Sequence, residues 1–341
     1  MPFEWISDDG ICVIAIVGIC KNAGKTTLLN HILANNPEIS FGVLSTGIDG
    51  EESDRVFNIP KPRVRLQSGS IFCCDTNTLN AHGSDVRILE RLAFGNELRP
   101  LWLAQCRQSL TTEITGPASG SEQIKAVQRL RHHGARKVLI DGSLDRKAIG
   151  QSEVLDALIL IAGASFGSEE SIITELKRLL LLNSIPINDC ILEKSQLFRK
   201  LSFTAHLLLC CGKKWFSTGF DSLIGNEVDL EKLTEKHPNI SGLFIPGAIT
   251  ETSLPKLKPI LDRMGASILL RHPECLKLSL PSLEAFLHNY RPKVLIPYKI
   301  KTIAVNANGI GMDPKDAEAF RMRLRESFPD NDLIDIMELE I

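Results

Sequence analysis

The residues best suited to chemistry form a short glycine-containing stretch near the N-terminus. It reads Gly18-Ile19-Cys20-Lys21-Asn22-Ala23-Gly24-Lys25-Thr26-Thr27, between an apolar run and an amphipathic one. A helix N-terminus after such a turn attracts phosphates through its backbone N–H groups. A Lys at this position reaches the β- and γ-phosphates, and the next hydroxyl binds Mg²⁺. The pattern predicts a nucleotide site formed by Gly18, Lys21, Asn22, Ala23, Gly24, Lys25, Thr26 and Thr27.

The spacing of the two glycines departs from the usual phosphate loop. Gly18 and Gly24 are one residue further apart than usual, so that Ile19 occupies the first-glycine position. Either the loop is one residue longer, or Gly18 does related work one step earlier. An ordinary glycine-rich turn before a helix is the alternative to nucleotide binding.

Acidic residues after two other apolar runs are candidates for holding a metal ion. Asp141 follows residues 138–140, and Asp49 and Glu51 follow residues 41–44. Carboxylates at the carboxyl edge of a parallel sheet can hold Mg²⁺ or orient water beside bound phosphates. We predict Thr26, Asp49 and Asp141 as metal ligands and Lys25, Asp141 and Glu51 as catalytic residues. A turn-capping Asp141 and a solvated acidic turn around Asp49 are the alternatives.

Missing motifs limit the other chemistries. Neither Asn-Lys-x-Asp nor Thr-Lys-x-Asp occurs, so the sequence favours ATP over GTP. The histidines lack metal-site spacing, and no dinucleotide-binding or cobalamin-binding motif is present. The nine cysteines form no Cys-x-x-Cys pair, which gives no support to a zinc-ribbon or thioredoxin-like site. Free thiols are typical of a reducing compartment, so we expect a cytoplasmic protein.

Strands and helices alternate around these candidate residues. Continuous apolar runs at 11–17, 138–140 and 157–161 predict strands buried on both faces of a parallel sheet. Apolar stripes at helical spacing predict helices between them, and 64–66 with 71–74 predict a hairpin.

The predicted fold class is therefore α/β. We expect a P-loop nucleotide-binding domain with a mostly parallel sheet over residues 1–195. A smaller α/β C-terminal domain is expected over 236–341, with 195–236 as an uncertain connection.

Length and charge restrict the partners. The 341 residues suffice for about two domains. The 39 Lys and Arg against 41 Asp and Glu leave a net charge of −2, which argues against a broad nucleic-acid surface. No apolar stretch reaches the ~18 residues that a membrane span needs, so no membrane partner is expected.

Four segments together resemble a known family. They are residues 18–27, Ser45-Thr46-Gly47-Ile48-Asp49-Gly50-Glu51, Lys61-Pro62 with Gly69 downstream, and Leu139-Ile140-Asp141-Gly142-Ser143-Leu144-Asp145-Arg146-Lys147. In order and spacing they resemble the P-loop ATPase subunit of the reactivases that serve adenosylcobalamin-dependent lysine 5,6-aminomutase and ornithine aminomutase. The resemblance covers the first 165 residues or so and is looser beyond them.

The resemblance implies an Mg²⁺-dependent ATPase that acts as a switch. Such a protein works with a partner reactivase subunit to release damaged cobalamin from an inactivated aminomutase, and it hydrolyses ATP slowly alone. Two other classes stay open. Metal binding through Cys73-Cys74 or Cys210-Cys211 would favour a cofactor-insertion NTPase or metallochaperone. An acceptor site in the C-terminal half would favour a small-molecule kinase.

Overall fold

The fold is described from a computed structural model. It describes residues 3–46, 63–94, 98–143, 153–191, 195–212, 214–222, 225–237, 239–307, 314–331 and 333–339. The chain divides into two compact units, one formed by Met1–Ile173 with Lys299–Ile341 and the other by Thr174–Tyr298. Among the helices of these ranges, none combines the length and the apolar composition needed to cross a membrane.

The strands and helices are numbered along the chain. The strands are β1 Val13–Gly18, β2 Phe41–Ser45, β3 Val64–Leu66, β4 Ile71–Asp75, β5 Val86–Arg91, β6 Leu101–Cys106, β7 Leu110–Thr112, β8 Lys137–Ser143, β9 Ala157–Gly163, β10 Leu208–Cys211, β11 Lys214–Ser217, β12 Ile240–Ile245, β13 Ile249–Thr250, β14 Ser267–Leu270, β15 Leu276–Lys277, β16 Lys293–Val294, β17 Ile300–Asn306 and β18 Leu333–Asp335. The helices are α1 Lys25–Ala34, α2 Thr76–His82, α3 Gly120–His132, α4 Glu169–Asn183, α5 Gln196–Phe203, α6 Glu227–Lys236, α7 Leu254–Met264, α8 Leu280–Tyr290 and α9 Pro314–Ser327. Short 3₁₀ turns cover Glu4–Ser7, Gly83–Asp85, Ala164–Phe166 and Pro273–Cys275.

The first unit is built on a sheet with the order β18-β17-β9-β1-β8-β2-β4-β6-β5. The pairs from β18 to β4 are parallel, whereas β6 runs antiparallel to both β4 and β5. Every residue of β1 and β9 is buried, as expected for central strands with helices on both faces. The predicted α/β class with a mostly parallel sheet is confirmed.

The strand order brings the candidate residues to one edge of this sheet. β8 lies between β1 and β2, with Asp141 opposite both Ile16 and Ser45. β9 pairs with the other side of β1, where Gly18 lies opposite Ile161. Because these four strands are parallel, their carboxyl ends and the loops that follow them are neighbours.

The second unit contains its own smaller sheet, with the order β11-β10-β12-β14-β16. β12, β14 and β16 are parallel and are joined by α7 and α8, whereas β10 runs antiparallel to both of its neighbours. Phe198, Leu201, Phe244 and Leu269 belong to the buried core cluster of this unit.

The observed units differ from the division expected from the sequence. Residues 300–306 and 333–335 were assigned to a C-terminal domain, but they form β17 and β18 of the first sheet, where β17 pairs with β9. The range 195–236 is structured as α5, β10, β11 and α6 of the second unit. Pairing between strands so distant in sequence leaves no local pattern that would have predicted it.

The predicted hairpin of 64–66 with 71–74 is also wrong. β3 pairs with β7 instead, and β4 pairs with β2 and β6. β4 is an interior strand of the first sheet, and its first four residues are buried. Because β2 and β6 occupy its two sides, β3 cannot pair with it.

Candidate functional site

The turn between β1 and α1 adopts a backbone that two of its residues make possible. Gly24 precedes α1 with φ 94° and ψ 17°, in the left-handed region where glycine carries no steric penalty. Asn22, a residue type that tolerates this region, has φ 57°. The turn also folds closely over Gly18, because a Cβ there would lie 3.0 Å from the carbonyl oxygen of Cys20. In a phosphate loop of the usual length, a glycine at the position of Ile19 would allow this close approach. Here Gly18, one residue earlier, allows it.

The N-terminus of α1 is electrically suited to an anion. The first turn of this helix, which is described throughout, holds no acidic residue, and the cap residue Gly24 has no side chain to bind its N–H groups. Helix geometry leaves these first N–H groups without intrahelical partners. Lys25 is half-buried, and its Nζ lies 3.3 Å from where a Cβ on Gly18 would stand, which places the ammonium group against the turn.

A hydroxyl and a carboxylate meet beside this helix end. The Thr26 Oγ1 atom lies 3.5 Å from Asp141 Oδ2, and both residues are half-buried. Asp141 is fixed by its strand, where its carbonyl oxygen accepts a hydrogen bond of 2.9 Å from the backbone N–H of Thr46. The two oxygen atoms are of the type that Mg²⁺ prefers.

The loop after β9 holds the other side of the turn. The Ile19 N–H donates to the carbonyl oxygen of Ile161 at 2.9 Å, and the Ser165 hydroxyl donates to that of Lys21 at 3.0 Å. The Cys20 Sγ atom lies 3.3 Å from Ser165 Oγ. Neither Ile161, which lies in β9, nor Ser165, in the loop after it, was among the site residues predicted from the sequence.

The structure brings most of the predicted site residues together. Lys21 and Asn22 are exposed, Ala23 is buried, and Thr27 is half-buried in the first turn of α1. Asp49 and Glu51 lie outside the described residues. Two residues missed from the sequence reach Gly24 from the C-terminal part of the chain, namely Asn306 and Ile336. No sequence motif marked Asn306 or Ile336 as part of the site.

The paired cysteines do not resemble a metal site. Cys73 and Cys74 are fully buried in β4, and burial raises the pKa of the Cys74 thiol to about 12. Thiolates, not thiols, bind metals, so this environment opposes binding. Cys210 is also buried. Across the described ranges, no group of three or more His, Cys, Asp or Glu side chains is arranged to hold a metal ion.

A basic cavity of about 420 Å³ lies away from the phosphate-loop residues. Its lining residues are Asp9, Gln128, Arg131, Ala135, Arg136 and Lys137. Lys137 begins β8, so the cavity lies at the edge opposite Asp141. The Lys137 Nζ atom donates to the carbonyl oxygens of Asp8 and Ile11 at 2.6 Å each, and Arg136 pairs with Asp9 at 3.0 Å. The third cation, Arg131, donates from Nη2 to Cys12 Sγ at 3.6 Å, so all three cations already have partners within the protein.

Comparison with known proteins assigns no family and no function to this chain. No model of a protein family matches the sequence, and no curated protein matches it.

Proposed function

We propose that the first unit binds a nucleoside triphosphate with Mg²⁺ at the turn between β1 and α1. The observation that carries this proposal is the meeting of Thr26 and Asp141, 3.5 Å apart, beside a helix that begins at Gly24-Lys25. A phosphate turn and a metal-side carboxylate on the neighbouring strand are the two parts that phosphoryl chemistry needs. An ordinary glycine-rich turn before a helix does not require a hydroxyl and a carboxylate beside it.

The residues fit such a ligand in type and position. The first N–H groups of α1 and the Lys25 ammonium would hold the phosphates, because both carry positive charge toward the same turn. Thr26 and Asp141 would hold Mg²⁺, which neutralises phosphate charge when it is bound. Asp49 and Glu51, proposed from sequence alone, remain candidates for a metal ligand and for orienting the attacking water. We propose ATP as the nucleotide, because the guanine-specificity motifs do not occur in the sequence.

Equilibrium binding of ATP and GTP, each with and without Mg²⁺, tests this proposal. A charge-assisted hydrogen bond is worth about 1.5–3 kcal/mol, so Lys25→Ala should weaken ATP binding roughly 10- to 150-fold. The exposed Lys125 of α3 offers a matched control, and Lys125→Ala should bind as the wild type does. Absence of Mg²⁺-dependent binding of either nucleotide to the wild-type protein would contradict the proposal.

We further propose that nucleotide hydrolysis serves as a switch for reactivating an adenosylcobalamin-dependent aminomutase. The support is the order and spacing of the four segments described above, which resemble those of the reactivase ATPase subunit. A switch of this kind requires the partner subunit to bind the ATP and ADP states with different affinities, because a ligand shifts an equilibrium only by its differential affinity. Hydrolysis is then expected to be slow until the partner is present.

A reactivation assay tests this finer proposal separately. An aminomutase inactivated during turnover would be incubated with this chain, a candidate partner subunit and ATP with Mg²⁺. Recovery should require ATP and should fail with Lys25→Ala. No recovery, together with rapid phosphoryl transfer to a small-molecule acceptor, would favour a kinase instead and would leave nucleotide binding itself intact.

A further inference from the structure

We infer that Ile336, the residue that directly follows β18, positions the phosphate turn by contacting Gly24. This inference rests on the proposed nucleotide site, and it assigns part of that site to a segment more than 300 residues away in sequence. Ile336 is a positioning residue, since it acts on Gly24 rather than on the ligand.

The contact is close and occurs at the most adaptable point of the turn. A Cβ added to Gly24 would lie 2.0 Å from Ile336 Cδ1 and 3.5 Å from its Cγ1. The amide nitrogen of the Asn306 side chain lies 3.3 Å from the same point. Ile336 is only 1% exposed, so its side chain fills the space beside Gly24.

Ile336 is itself held firmly by its neighbours. β18 pairs with β17, and the Ile336 N–H donates to the carbonyl oxygen of Val305 at 2.9 Å. The preceding residue, Asp335, is fully buried and accepts a hydrogen bond of 2.5 Å from Arg321 Nε.

α9 fixes the residues that follow Ile336 as well. The Arg321 Nη1 atom lies 2.9 Å from Glu338, and Arg325 lies 2.7 Å from the same carboxylate. The Met337 N–H donates to Asp335 Oδ1 at 2.9 Å. Ion pairs of Asp335, before Ile336, and of Glu338, after it, thus fix the position of Ile336 beside the turn.

Such a contact should matter for binding because glycine has more backbone freedom than any other residue. With Ile336 in place, the turn is restricted before the ligand arrives. Without it, the fraction of molecules in the binding-competent form falls, and the apparent dissociation constant rises by the inverse of that fraction. If about one molecule in five remains competent, the dissociation constant rises about fivefold.

Truncation at Ile336, compared with a matched truncation in the same strand, tests the inference. Ile336→Val removes the Cδ1 methyl that faces Gly24, and Ile336→Ala empties the site further. Leu333→Ala is the control, since Leu333 is 6% exposed in β18 and strand alternation turns it to the opposite face from Ile334. Ile334 and Ile336, but not Leu333, belong to the core cluster that contains Ala23 of the turn. Two quantities are measured on each full-length variant: the amide exchange rates of residues 19–25 without ligand, and the dissociation constant for ATP with Mg²⁺.

The expected result is faster exchange in residues 19–25 and about fivefold weaker ATP binding in Ile336→Ala. Ile336→Val should show smaller changes in the same direction. This variant provides the test if Ile336→Ala does not fold. Leu333→Ala should change neither quantity, even if its melting temperature falls as much as that of Ile336→Ala. Unchanged exchange in both Ile336 variants, or equal changes in Leu333→Ala, would overturn the inference. A wild-type protein that binds no nucleotide would overturn the proposed function, while the exchange rates would still decide whether Ile336 positions the turn.

Discussion

Replacing Asp141 with Asn removes one negative charge while it preserves the size and shape of the side chain. Because Thr26 and Asp141, whose oxygens lie 3.5 Å apart, would hold Mg²⁺ together, the ion would lie within about 4 Å of the Asp141 carboxylate. At that distance, a +2 and a −1 charge attract by about 2 kcal/mol in bulk water and by several times more in a protein site.

Asp141 is half-buried and pays a desolvation cost that offsets part of the attraction, so the net attraction is nearer to the value of about 2 kcal/mol in water. A loss of about 2 kcal/mol corresponds to roughly 30-fold weaker Mg²⁺ affinity in the nucleotide complex. The change in stability should be small, since asparagine keeps the size of the side chain and its amide oxygen still accepts hydrogen bonds. We therefore expect a melting temperature within about 4 °C of the wild type.

The assay is a Mg²⁺ titration of nucleotide binding, read from the fluorescence of a labelled ATP analogue. Asp156→Asn is the matched control, because Asp156 lies at the other end of the same sheet and accepts hydrogen bonds from the Cys12 and Val13 N–H groups at 2.9 Å. That variant should lose stability but keep the wild-type Mg²⁺ midpoint. An unchanged midpoint in Asp141→Asn, or an equal shift in Asp156→Asn, would refute the assignment of Asp141 to the metal.

Two further predictions concern cysteines. Cys20 is partly exposed within the phosphate turn, so ATP with Mg²⁺ should slow its alkylation, whereas the exposed Cys190 should react at the same rate; mass spectrometry of labelled peptides reports both. Burial raises the pKa of the Cys74 and Cys106 thiols from 9.0 to about 12, which favours their neutral form in the folded protein. The resulting stabilisation is complete below pH 9 and declines as the pH rises toward 12, so denaturant midpoints should fall over that window. Cys74→Ala should show a shallower fall.

The local parts of the site could be predicted from the sequence because their signals are local. The apolar runs that became β1, β8 and β9 are buried on both faces, and such strands are recognisable from composition alone. The turn before α1 was recognisable from Gly24 and Lys25, whose types fit a left-handed backbone and an anion. The placement of Asp141 beside Thr26 followed from the rule that parallel strands end at one edge.

The parts that escaped prediction depend on contacts between distant residues. Nothing in the residues 300–306 indicates that they pair with β9 rather than with a strand of their own half. Likewise, Ile336 looks like any other apolar residue near the end of a strand. Its contact with Gly24 exists only after β17 and β18 have joined the sheet, so sequence patterns could not reveal it.

Hydrogen exchange with and without nucleotide tests the central proposal most directly, because it reports where a ligand binds as well as whether it binds. ATP with Mg²⁺ should slow exchange within residues 11–33, with the largest effect between Gly18 and Leu29, and should also slow exchange around Asp141. Lys25→Ala should abolish both effects under the same conditions. Exchange that is unaltered throughout 11–33 by ATP or by GTP, each with Mg²⁺, would contradict a nucleotide site at this turn.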